Sequence, residues 1–230
     1  MDKIKGIIFD YGGTLDTDGV HWFHIFRKVY AEHLPHITEE RLREAYVYGE
    51  RYLATHRVIE PEDDFLAMLK KKVAIQLSQL QEESEVLAGK IAEDCDAVVR
   101  ENMGCTCDIL ASLLRKFPIA LVSNFYGNIH AVLRSYGLEG CFKEVVESAV
   151  VGVRKPDPQI FALGVEALGL KPEEVVVVGD SYGKDIKPAN SLGCRTIWLK
   201  GLGWSDKDEP ADCSCADHII ATLSQVLEVI

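Results

Sequence analysis

Ile7-Ile8-Phe9-Asp10-Tyr11-Gly12-Gly13-Thr14-Leu15-Asp16 is an apolar run that ends in a carboxylate, a glycine turn and a threonine. A short run of consecutive apolar residues bounded by glycine reads as a strand buried on both faces, the kind found in parallel sheets. In open α/β sheets ligands bind beyond the carboxyl ends of such strands, which is where Asp10 falls. An Asp at that place is a metal ligand, a nucleophile or a cap on the following turn, so the decision rests on what lies around it.

From about Cys105 onward the chain alternates helical and strand patterns. A helix to Lys116 precedes the strand Ile119-Ala120-Leu121-Val122-Ser123, and a helix over Gly127 to Tyr136 precedes a short strand at Val145-Val146-Glu147. Asp157 to Leu168 reads as a helix, Glu174 to Gly179 as a strand, Lys184 to Leu192 as a helix and Arg195 to Leu199 as a strand. Thr222 to Val229 closes the chain. Apolar strands alternating with helices predict a parallel sheet covered on both faces. Residues 17–104 differ, with four helical patterns and almost no strand-like run. These run from Gly19 to His33, from an N-cap at Thr38, from Pro61 with its acidic turn Glu62-Asp63-Asp64, and from Ser84 to a stop at Gly104. The expected fold is therefore a doubly wound (Rossmann-like) α/β parallel-sheet core, residues 1–16 and 105–230, with an inserted all-helical cap, residues 17–104. Such an insert hangs over the edge that carries Asp10, placed to exclude water and select a substrate.

The chain has 230 residues, 47% hydrophobic and 27% charged, the balance of a globular domain with a substantial core. Its net charge of −11 argues against a nucleic-acid partner, because a phosphate backbone would be repelled. No apolar run has membrane-spanning length, and Met1 to Lys5 leads into a strand without a secretory pattern, so a cytoplasmic location is expected. Seven cysteines, an odd number scattered over a full-sized domain, read as reduced thiols. Cys105-Thr106-Cys107 and Cys213-Ser214-Cys215 supply four possible zinc ligands, but at a spacing tighter than the usual Cys-x-x-Cys. Gly201 to Cys215 is a polar loop, and Trp198 and Trp204 near it belong to the core or its rim.

Three further segments join Asp10. Ser123-Asn124 ends a strand with a hydroxyl and an amide, both able to donate to a phosphoryl oxygen or to cap the turn. Lys155, in Arg154-Lys155-Pro156-Asp157-Pro158, is kept out of helical geometry by the proline after it, which frees an ammonium to balance charge. The strand Val175-Val176-Val177-Val178-Gly179 ends in Asp180, with Asp185 five positions on. Gathering carboxylates in one cleft is unfavourable without a hard cation to hold, which suggests Mg²⁺.

In order and spacing these four segments resemble the four motifs of the haloacid dehalogenase superfamily, over essentially the whole α/β core. The helical insert matches that family in position and type. The resemblance implies that Asp10 attacks phosphorus and forms an aspartyl-phosphate, and that Asp10, the Gly12 carbonyl and Asp180 bind Mg²⁺ with Asp185 in support. It further implies that Thr14, Ser123 and Asn124 serve the phosphoryl group, that Lys155 balances charge, and that the partner is a small phosphorylated metabolite.

The family's first motif usually reads Asp-x-Asp-Gly-Thr, and Gly12 stands where its second Asp would be. That Asp protonates the leaving group, help worth roughly a hundred- to ten-thousand-fold. Asp18, His21 and His24 are the candidate substitutes, while Asp16 is expected to organise the turn into the insert. The alternatives are carbon-directed chemistry, meaning haloacid cleavage or phosphonate cleavage through Lys28, Lys70, Lys71 or Lys72, and a ligand-binding protein that has lost turnover.

Overall fold

A computed structural model of the chain describes residues 3–204 and 212–230. β1 (Gly6–Phe9) lies at the centre of a six-stranded, wholly parallel sheet with β2 (Ile119–Ser123), β3 (Glu144–Glu147), β4 (Val175–Gly179), β5 (Arg195–Leu199) and β6 (His218–Ile220). The strand order is β3-β2-β1-β4-β5-β6, so the chain winds outward from β1 on both sides. Every residue of β1, β2 and β4 is buried, which is why these segments read as unbroken apolar runs. The doubly wound core is as expected. The three-residue edge strand β6 and the single turn α6 (Ser148–Val151) lie outside the sequence reading. Both are too short to carry a period.

Four helices separate β1 from β2: α1 (Trp22–His33), α2 (Glu39–Thr55), α3 (Phe65–Leu80) and α4 (Glu85–Leu114). Each begins at a side chain that accepts a backbone N–H, from His21, Thr38, Asp64 and Ser84 in turn, and such caps contribute about 1 kcal/mol apiece. Pro61 and its neighbours form the turn before α3, and the helix starts after Asp64. The expected stop at Gly104 is corrected. α4 runs 30 residues straight through it, because the buried stripe Val99, Met103, Thr106, Ile109, Leu110 and Leu113 keeps helical spacing across the glycine. A glycine inside a helix costs about 1 kcal/mol relative to alanine, far less than that stripe returns. The boundary drawn at 104/105 therefore falls inside one helix.

On the core side, α5 (Ile129–Ser135), α7 (Gln159–Leu168), α8 (Lys187–Ser191) and α9 (Val226–Val229) follow their strands. A π-helical turn at Tyr182–Ile186 occupies the start of the segment expected to be one helix from Lys184. Gly201 to Trp204 leaves β5 toward the helical insert, where the Trp204 ring packs against His21, Phe23 and Tyr46. The remainder of that loop, residues 205–211, lies outside the described residues. Trp198 is buried and Trp204 partly so. Among the described residues no helix is long and apolar enough to cross a membrane. Cys105, Cys107, Cys213 and Cys215 are not brought together as metal ligands.

Two measurements test this packing. α7 crosses the sheet so closely that a Cβ at Gly164 would lie 2.8 Å from Val122 Cγ2 and 3.0 Å from Ile8 Cδ1. Gly164→Ala is expected to lower unfolding stability by about 1–3 kcal/mol in a denaturant titration, and an unchanged midpoint would show the contact to be slack. His21 caps α1 against Tyr46 and Trp204, and burial together with the Lys184 charge lowers its pKa from 6.5 to about 4. Between those values the unfolded chain binds the proton and the folded chain does not, so this contribution to stability is lost as pH falls. His21→Asn keeps a capping acceptor, and its stability relative to the native chain is expected to rise as pH drops from about 6.5 to about 4. A pH-independent difference would refute the burial of a neutral His21.

Candidate active site

The carboxyl ends of β2, β1 and β4, three adjacent strands, deliver Ser123, Asp10 and Asp180 to one edge of the sheet. Lys155 reaches the same place from the segment before α7 and is almost wholly buried. Its Nζ lies 2.7 Å from Asp10 Oδ1 and 2.7 Å from Asp185 Oδ1. Ser123 Oγ donates to the same Asp10 oxygen at 3.1 Å. The carboxylates of Asp10, Asp180 and Asp185 approach within 4.8 Å of one another.

The loop after β1 is shaped by its own residues. Tyr11 O accepts the N–H groups of Thr14 and Leu15, making a tight turn. Gly13 has φ +91°, and a Cβ there would fall 2.5 Å from the Asp180 carboxylate, so the turn requires glycine. Gly12 is different. Its φ lies outside the left-handed region and a Cβ would meet nothing within 4 Å. Thr14 bridges to the neighbouring loop, accepting from Asp180 N at 3.0 Å and donating to Asp180 Oδ1 at 3.2 Å. Trp198 on β5, which the sequence did not mark for the site, donates its indole N–H to Asp180 O at 2.8 Å. Asn124 holds the Lys155 backbone with both ends of its amide, accepting from Lys155 N at 2.9 Å and donating to Lys155 O at 3.1 Å. The amide is thus committed to positioning the lysine.

Burial alone would lower the Lys155 pKa, but the Asp10 and Asp185 charges outweigh it and hold the ammonium above its ordinary value. Asp180 is pushed well above the usual carboxylate range by burial and by the charges of Asp185 and Asp10. Asp185 is raised by burial too, against the pull of Lys155. With all three carboxylates ionised, one ammonium leaves two negative charges in a space lined by oxygen ligands. That donor set fits a hard divalent cation.

The three acidic or basic substitutes for the missing carboxylate separate clearly. Asp18 Oδ1 accepts from Leu223 N at 2.6 Å and His24 Nε2 meets Gly203 O at 2.7 Å, so both are engaged with other loops. His21 lies within electrostatic reach of Lys184, Glu50 and Lys72. Asp16, 1% exposed, accepts from Gly13 N at 2.7 Å and from Trp22 Nε1 at 2.7 Å, tying the first loop to α1. The helices add residues with no motif to announce them. Lys72 is buried, unlike the exposed Lys28 and Lys70 and the half-buried Lys71, and it pairs with Glu50 of α2. Tyr126, three residues after Ser123, bonds to both.

A family model described as haloacid dehalogenase-like hydrolase matches residues 4–193. Among curated proteins, the glyceraldehyde 3-phosphate phosphatase of Pyrococcus furiosus is 38% identical over 93 residues, 40% of this chain and 38% of that protein. The phosphoserine phosphatase of Thermus thermophilus is 34% identical over 115 residues, 49% of this chain and 46% of that one. The matched stretch thus spans less than half the length of these relatives. Among solved structures, a dehalogenase with an intermediate complex superposes with a TM-score of 0.69 at 18% identity, covering 100% of this chain and 98% of that one. The HAD-hydrolase YfnB of Bacillus subtilis, bound to magnesium, superposes with a TM-score of 0.60 at 17% identity, covering 99% of this chain and 98% of that one. At such identities the likeness establishes the fold. With the family match running from β1 past α8, the chain belongs to the haloacid dehalogenase-like hydrolases.

Proposed function

We propose that the protein is a Mg²⁺-dependent phosphatase acting on a small phosphorylated metabolite through an aspartyl-phosphate on Asp10. The observation that carries this reading is the convergence of Lys155 and Ser123 on one oxygen of Asp10, beside two more carboxylates. Both contacts fall on Oδ1, which orients the carboxylate and leaves Oδ2 for attack on phosphorus. The Lys155 ammonium offsets the repulsion between the nucleophile and an anionic ester, and Ser123 and Thr14 stand beside it as hydroxyl donors to phosphoryl oxygens. Asp10, Asp180 and the Gly12 carbonyl would hold Mg²⁺, with Asp185 in support, and the ion would neutralise charge building up on the transferring group. The phosphatase names of the curated relatives support the same reading. So does Lys72. Burial alone would lower its pKa, but the Glu50 charge and hydrogen bond, with the charges of Tyr46 and Asp16, together outweigh burial and raise it, which disfavours the neutral amine that phosphonate cleavage would need. The helical insert, residues 17–104, is read as a cap that roofs the site.

Without a carboxylate at position 12, the leaving group departs with little proton assistance. Three measurements test this set. Purified protein with Mg²⁺ is expected to hydrolyse an aryl phosphate, and Asp10→Asn to reduce that rate at least a thousandfold. Turnover of no phosphate ester or anhydride would favour a ligand-binding role, and halide release from a 2-haloacid without Mg²⁺ would replace the assignment. Across a series of aryl phosphates the rate is expected to fall steeply as the leaving group becomes more basic. The open space at Gly12 accommodates a side chain, so Gly12→Asp is expected to flatten that dependence and raise the rate on poor leaving groups roughly a hundredfold or more. A flat dependence in the native protein would mean that another group already supplies the proton.

A further inference from the structure

Lys72 on α3 and Glu50 on α2 form an ion pair at the junction between the helices and the core. Lys72 Nζ also donates to the Tyr126 hydroxyl at 3.1 Å, and that hydroxyl donates to Glu50 Oε2 at 2.9 Å. The three groups close a ring. The ammonium is surrounded by the rings of Phe26, Tyr46 and Tyr126, with Nζ 5.5–5.8 Å from their centres. Buried ion pairs seldom stabilise a fold better than apolar side chains of the same volume, so the pair invites a functional explanation. Tyr126 also ties it through the chain to the site. Tyr126 follows Ser123 on the loop that leaves β2, and that loop is fixed by Phe125 N donating to Ser148 Oγ at 3.1 Å and Gly127 N donating to Glu147 Oε1 at 2.5 Å. Phe125 packs on Tyr11, next to the nucleophile. The charge of Asp180 reaches Tyr46, and that of Asp16 reaches Lys72.

Glu50 neutralises Lys72, so the pair has no net charge with which to draw an anionic group. It offers instead a strong donor beside a strong acceptor. A hydroxyl is a neutral group that satisfies both at once, since it accepts and donates through one oxygen. The Tyr126 hydroxyl does so here, accepting from Lys72 and donating to Glu50. We propose that the Lys72–Glu50 pair reads the leaving group of the phosphoester, and that it takes a neutral, hydroxyl-bearing group at the place the Tyr126 hydroxyl occupies in this structure. The substrate class is then a polyol-type monophosphate. The inference rests on the phosphatase reading, with the phosphoryl end at Asp10 and the polyol end under α2 and α3.

Competitive inhibition of aryl phosphate turnover tests it without requiring the probe to react. The native protein is expected to bind glycerol 3-phosphate at least tenfold more tightly than propyl phosphate, which lacks both hydroxyls. Glu50→Gln and Lys72→Met are expected to bring the two inhibition constants within about threefold of each other, and Lys72→Arg to keep part of the preference. Tyr126→Phe removes the internal occupant and is expected to tighten glycerol 3-phosphate alone. A tyrosine that merely tied the helices to the core would instead weaken both inhibitors when lost. If Lys72→Met fails to fold by circular dichroism, Glu50→Gln and Tyr126→Phe carry the decision. Equal inhibition constants in a native protein that hydrolyses aryl phosphate would overturn the proposal and leave the phosphatase reading standing, as would a preference that persists in Glu50→Gln. A native protein that hydrolyses no ester would remove both.

Discussion

The Lys155 ammonium, shared at 2.7 Å between Asp10 and Asp185, is the interaction on which the site depends. Each of its carboxylates follows a different strand of the sheet, and the lysine arrives from a third segment whose backbone Asn124 grips at both its N–H and its carbonyl. A buried lysine left without its carboxylates would be expensive, and so would the carboxylates without it. Such a cluster forms only when β1, β2 and β4 are in register and their ends converge. The charge cluster and the sheet topology are thus one constraint: the fold holds the charges together, and mispairing any of the three strands would cost one of them a partner.

That dependence explains what was legible in the sequence. Strands buried on both faces are written as unbroken apolar runs, and whatever follows such a run lands on the sheet edge, so Asp10, Ser123 and Asp180 could be placed there directly. Lys155 and Asp185 were legible for a related reason, since a charged residue beside proline or a short turn after an apolar strand has few places to go. The helical insert was legible only as helices. Thr38 and Ser84 mark helix starts because capping is a local hydrogen bond. Gly104 misled because a glycine's local cost is small against a buried stripe that continues past it. Lys72 and Glu50 lie on ordinary amphipathic helices, and their partnership depends on how α2 and α3 pack, which no spacing in the chain records. Lys72 reads as one of three consecutive surface lysines until the fold is known.

Asp16 shows the middle case. Its place after the first motif suggested an organising role, and its carboxylate is satisfied by Gly13 N, Trp22 Nε1 and Thr17 Oγ1. Burial raises its pKa to about 7 in spite of those donors, and the charge of Asp10 adds to the effect. The same loop is tied from the other side, where Thr106 Oγ1 donates to Leu15 O at 2.9 Å and Asn102 Nδ2 to Asp16 O at 3.4 Å. Both chain crossings between the helices and the core therefore meet at the loop that follows Asp10. The continuity of α4 through Gly104 belongs to this joint, because Asn102 and Thr106 lie on either side of the glycine and keep their loop contacts only if the helix does not break between them.

Gly12 is best understood against this background of fixed neighbours. Gly13 is required by its φ and by the Asp180 carboxylate that a Cβ would strike, whereas Gly12 has an ordinary φ and open space around the missing Cβ. The loop therefore does not demand glycine at position 12. On the phosphatase reading, an acid there would bring a further negative charge toward three carboxylates that Lys155 and a divalent cation would together balance. On the same reading, the arrangement without it would keep the charge set for attack on phosphorus and give up assistance to the departing oxygen. On the phosphatase reading, selectivity then has to come from the leaving-group side of the site. In the proposed subsite, that task falls to Lys72, Glu50 and Tyr126, which present matched donors and acceptors.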